Sequence, residues 1–197
     1  MTEAVPLLLQ IAAGIALAAC AGLRAFVPLF ATGIAGRLGW VELSGHFAWL
    51  QGTPALVVFG VAVTVELLSD KIPVVDHALD VLNTVLKPAA GTVLMAALLT
   101  DLTPLQAMVL GILAGGGSAG LVHVAKAKLR VGASLLTAGL ANPFVSLVED
   151  AVALIGTAAA FLVPLVAASI AITVMVGLVV ALALLARRVR SPHTPAA

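Results

Sequence analysis

From Ala151 to Ala186 the chain carries no charged side chain, and a single proline, Pro164, interrupts the run. About 20 helical residues cross the hydrocarbon of a bilayer, so this stretch is too long for one span and too apolar for a soluble surface. It predicts two membrane helices divided near Pro164, because proline removes a helical hydrogen bond and clashes with the preceding turn. The remaining sequence agrees: 62% of residues are hydrophobic, 10% are charged and the mean hydropathy is +1.20, whereas soluble domains approach a quarter charged. The expected fold is an all-α membrane protein. We expect a single transmembrane domain at 1–190, a compact bundle of about six transmembrane helices with kinked or re-entrant segments, and a disordered tail at 191–197.

Other spans follow from apolar length and punctuation. Residues 5–23 suffice for a first span, and the apolar character continues past Arg24 through Pro28 to Gly36. That segment is either one kinked helix or a span followed by a short re-entrant piece. The Leu17-Ala18-Ala19-Cys20 stretch resembles a lipoprotein cleavage site, but the basic leader such a signal requires is missing and Glu3 stands there instead. Trp40 and Trp49 mark an interfacial loop, since Trp favours the membrane–water boundary. Pro54 is placed to open a short second span ending near Ser69. Residues 88–100 and 104–122 read as a hairpin, with Thr103-Pro104 as cap and first helical residue. The small residues of 111–120 include GxxxG spacing, which lets helix backbones approach closely. Such faces serve homo-oligomers as readily as intramolecular packing.

The charged residues are few and grouped. Glu66, Asp70, Lys71, Asp76, His77 and Asp80 end one apolar run; Arg24 interrupts another; His123, Lys126 and Arg130 keep helical spacing with Ser134 and Thr137; Asn142, Glu149 and Asp150 open the last apolar region. Each unpaired charge at the bilayer centre costs roughly 2.5 to 3.5 kcal/mol on insertion scales. These groups must therefore pair, line water or lie near an interface. The functional reading takes Arg24, Glu66, Asp70, Lys126, Arg130, Asn142, Glu149 and Asp150 as a pathway for an ion or small polar solute, lining a water-accessible cavity. The plainer reading takes them as salt bridges that fix helix order. Asp76 and Asp80, one helical turn apart, are the candidates for a divalent cation, although a wet helix face accounts for them equally.

Other classes are excluded or unsupported. Basic residues do not gather on a soluble face, so nucleic acid is not an expected partner. Cys20 is the only cysteine, which forbids an intrachain disulfide and a cysteine-rich metal site. No GxSxG, HExxH or phosphate-binding glycine loop is present, and neither an enzyme nor a cofactor is expected. Positive charge concentrated in one set of loops predicts an inner-membrane protein with both termini cytoplasmic. The alternative to transport is a non-catalytic scaffold, assembly or lipid-organising protein, and behind it a metal-dependent lipid-modifying enzyme. A faint internal repeat pairs 14–23 with 111–121 and 65–70 with 145–150, although shared Ala, Gly and Leu content accounts for it as well.

GLRAFVPL (22–29), ELLSDKIPVVD (66–76), HVAKAKLR (123–130) and TAGLANPFVSLVED (137–150) together resemble the bacterial integral-membrane family catalogued as domain of unknown function 4126. The resemblance runs from Gly14 to the C-terminal arginines. It implies a compact multi-pass bacterial protein and carries no activity, substrate or site residue with it.

Overall fold

A computed structural model describes the backbone at 6–69, 73–137 and 142–190, with the side chains of 69, 73–81, 133–136, 142–143, 182 and 185–190 outside the description. Asp70 and the tail at 191–197 therefore lie outside the described residues, as do the side chains of Asp76, Asp80 and Asn142. The described chain is helical throughout, with no strand among the described residues. The helices are α1 (Leu7–Leu23), α2 (Phe26–Arg37), a short 3-10 turn (Gly45–Gln51), α3 (Thr53–Ser69), α4 (Pro73–Leu98), α5 (Pro104–Leu110), a π-helical turn (Gly111–Gly116), α6 (Gly117–Thr137), α7 (Asn142–Leu162) and α8 (Pro164–Arg190).

By length and composition three helices can cross a membrane, Pro104–Gly132, Phe144–Leu162 and Pro164–Ala181. A fourth arises if Gly45–Gln51 and Thr53–Leu68, bent by 61°, act as one span; Leu7–Leu23 and Leu82–Leu98 are apolar but shorter. This is the build of a membrane protein. Much of the exterior is correspondingly apolar, with Val57, Val61, Leu113, Ile155, Leu162 and Val176 all exposed.

The upper end of the bundle is defined where Gln10 of α1 meets the α4–α5 connection, its amide donating to Thr100 Oγ1 and Asp101 Oδ2 at 3.0 Å each. From there α1 descends antiparallel to α4. Gln10 lies opposite Thr100, Gly14 against Met95 and Leu23 opposite Lys87. At Arg24 the backbone is extended and α1 ends. The chain then turns back, and α2 climbs beside α1 so that Trp40 and Glu42 share a cavity with Gln10 at the upper end. Residues 7–37 thus form a helical hairpin that reverses at Arg24–Ala25, so the segment is not one kinked helix. Pro28 removes no hydrogen bond there, because it falls in the first turn of α2, where the backbone donors lack helical partners anyway.

From the upper end α3 descends until Glu66 reaches the hairpin tip. The amphipathic stretch after Pro73 and the apolar run after Pro88 form one helix, α4, with Pro88 inside it. Close approach of α4 to the glycine-rich turn explains the small residues there: a Cβ at Gly91 would lie 2.5 Å from the Gly115 carbonyl oxygen and 2.7 Å from the Ala119 Cβ. Thr103 caps α5 in a reciprocal box with Gln106, as its spacing predicts. Pro164 divides α7 from α8 at the upper end, and α8 then runs down beside α6.

The paired segments of the faint repeat disagree in sense. The segments at 14–23 and 111–121 both descend and pack together, a Cβ at Gly22 meeting the Ala119 carbonyl at 2.5 Å, whereas the second pair descends in α3 and climbs in α7.

Candidate functional site

Every described charge singled out from the sequence as a pathway residue comes to the hairpin tip. The tip has the electrostatics of two helix ends, unsatisfied carbonyls closing α1 and unsatisfied amides opening α2. Glu66 of α3 serves the amides: its Oε1 accepts from the Ala25 N–H at 2.7 Å and its Oε2 from the Phe26 N–H at 3.1 Å. Lys87 of α4 and Lys126 of α6 serve the carbonyls, both donating to the Leu23 oxygen, at 2.9 and 3.3 Å. Lys126 reaches it by pointing back along its own helix, the direction helical side chains take.

Arg24 fills the break itself. Its guanidinium donates to the Glu66 carbonyl at 3.1 Å and to Ser146 Oγ at 3.0 Å, and pairs with Asp150 at 2.5 Å. Beside it Glu149 holds two cations, Lys126 at 2.8 Å and Arg130 at 3.2 Å. The cluster thus ties together α1, α2, α3, α4, α6 and α7. Counting along α7 at ~1.5 Å per residue, Asp150 lies about 18 Å from the upper end of a helix long and apolar enough to cross a membrane.

The cluster is buried: Arg24 is 1% exposed, Lys87 2% and Glu66 6%. A groove of about 470 Å³ opens beside the cluster between α6, α7 and α8, walled mostly by apolar side chains, with Lys126 and Glu149 at its base. The described charges pair with one another, as groups in a low-dielectric interior must if both signs are to stay ionised.

His123 lies buried on α6 one turn before Lys126, as the predicted stripe requires. Among the described residues no three His, Cys, Asp or Glu side chains form a group that could hold a metal ion. Sequence reasoning missed Lys87, Ser146 and the Leu23 carbonyl. A signal for the burial of Lys87 lay in the unbroken apolar character on its far side, once Pro88 is read as interior to a helix.

A family model described as Domain of unknown function (DUF4126) matches residues 11–186. No curated protein and no solved structure matches the chain. With the match covering most of its length, the chain belongs to that family.

Proposed function

We propose that this member of the DUF4126 family is a non-enzymatic transporter of a small ion, held here with its pathway closed. One observation carries the reading: a helical hairpin breaks inside the bundle, and both of its helix ends are held by ionisable side chains from other helices. Within a membrane, irregular backbone occurs where protein buries it or where it lines a pathway. Broken helices with opposed ends are the usual makings of ion and substrate sites in secondary transporters. Intramembrane charge is also costly for a protein that only needs helix order.

On this reading Glu66 and Glu149 are the groups that exchange protons or cations, and Arg24, Lys87, Lys126 and Arg130 neutralise them between turnovers. Movement of the hairpin relative to α4 and α6 would break the contacts at Leu23 and open the route. The dry pairing favours such a carrier over a permanently open channel. Basic residues gather toward the lower end, where α8 closes in RRVR, while Arg37 lies near the upper. That bias supports a cytoplasmic lower end in an inner membrane.

The test is flux into liposomes under imposed proton, sodium, potassium and chloride gradients. Wild-type protein should exceed empty liposomes for at least one ion, and Glu66→Gln should reduce that flux about tenfold or more. Absence of flux under all four gradients overturns transport and leaves the scaffold or lipid-organising role, for which the same paired cluster is a structural keystone.

A further inference from the structure

The bundle has a second polar region, remote from the hairpin tip. At the upper end a cavity of about 510 Å³ opens between Gln10, Trp40, Glu42, Thr100, Asp101 and Phe161. Its volume falls within the range of small-molecule sites, about 300 to 1,000 Å³. It brings together the loop after α2, the start of α1, the α4–α5 connection and the α7–α8 turn.

The lining selects by charge and by shape. Glu42 and Asp101 contribute two carboxylates, and among the described residues no lysine, arginine or histidine lines the cavity. Gln10 engages one Asp101 oxygen and is fixed in turn by the Thr100 backbone N–H, which donates to Gln10 Oε1 at 3.1 Å. That frame holds the Asp101 carboxylate at the cavity wall. Trp40 and Phe161 add aromatic faces, which attract cations through the ring quadrupole, and the remaining wall is largely aliphatic. A small metal ion would want several converging oxygens. Two carboxylates in a cavity whose other walls are largely aromatic and aliphatic suit a cation with an apolar body.

We propose that this cavity binds a small organic ammonium ion, a monovalent cation with alkyl substituents, entering from the upper end. The site does not rest on the transport reading: binding here requires no movement at the hairpin tip, and a closed tip leaves the cavity open.

Trp40 supplies the readout. Trp49 is the only other tryptophan, and it packs against Phe59 away from the cavity, with ring centroids 6.2 Å apart. Trp49→Phe protein in detergent micelles would be titrated with tetraethylammonium, which is too hydrophilic to partition into the micelle. The expected result is a saturable change in Trp40 emission that weakens with added salt. Glu42→Gln in the same background should weaken binding about threefold and Glu42→Lys more than tenfold. Both act at an exposed loop position, and gel filtration checks that each variant keeps its fold. Should Trp49→Phe fail that check, calorimetry on the wild type and on Glu42→Lys replaces the fluorescence arm. A linear response without saturation, or Glu42→Lys binding as well as its parent, overturns the proposal. Binding with no ion flux would leave this site standing while removing the transporter reading; flux without binding would do the reverse.

Discussion

Lys87 and Lys126, on different helices, bring their ammonium groups to the same oxygen, the Leu23 carbonyl that ends α1. Two like charges share one acceptor because acids surround them, Glu149 pairing with Lys126 and Glu66 holding the other side of the break. Each part of the cluster therefore depends on others, and single substitutions should have unequal effects.

Glu149→Ala should be among the most damaging changes at the tip. It leaves Lys126 and Arg130 both without their carboxylate in a buried setting, a loss of about 3 to 5 kcal/mol. Lys126→Ala should cost less, about 1 to 2 kcal/mol, since Glu149 keeps Arg130 and Leu23 keeps Lys87. Thermal unfolding of the two variants in one detergent orders them; equal midpoints would contradict the assigned pairing.

Glu66 is expected to behave as a cap as well as a charge. Glu66→Gln keeps one acceptor oxygen but turns an amide N–H₂ toward the other backbone donor. One of Ala25 and Phe26 then loses its partner, at a cost of about 1 to 2 kcal/mol. Hydrogen exchange at those two amides should rise, while exchange in α8 stays as it was.

Arg24→Lys should not be conservative. The guanidinium serves the Glu66 carbonyl, Ser146 and Asp150 together, a geometry an ammonium on a shorter stem does not reproduce. A fall in the unfolding midpoint well beyond that of Arg37→Lys, whose partner is the exposed Thr53, is the expected outcome.

Small residues divide into required and dispensable ones. Gly91→Ala forces a Cβ against the Gly115 carbonyl, and overpacking of this kind costs about 1 to 3 kcal/mol. Gly177, on α8, has open space around its Cα, so Gly177→Ala should be neutral or stabilise by up to ~1 kcal/mol. The difference in midpoint between these variants measures how tightly α4 packs on the glycine-rich turn.

The sequence made much of this legible. Apolar length and Pro164 located α7 and α8, Thr103-Pro104 located the start of α5, and the cost of intramembrane charge selected Arg24, Glu66, Lys126, Arg130, Glu149 and Asp150 before any contact was known. What it could not carry was direction. A reversal at Arg24–Ala25 has no periodic signature, because an apolar helix that turns back and one that continues have the same composition. Pro88 misled for a related reason: proline both opens helices and survives inside them when neighbouring groups serve the freed carbonyl. Charge cost is met equally by water or by a counter-ion, and sequence spacing does not say which.

The hairpin has a consequence for biogenesis. Its tip is neutralised by Glu66, Lys87, Lys126 and Asp150, all of which leave the ribosome after residues 7–37 are made. Until they arrive, Arg24 and the exposed helix ends would face lipid unpaired. Residues 7–37 are therefore made before their partners and are among the last to settle at their final depth, and a chain interrupted before α7 should hold them near the membrane surface.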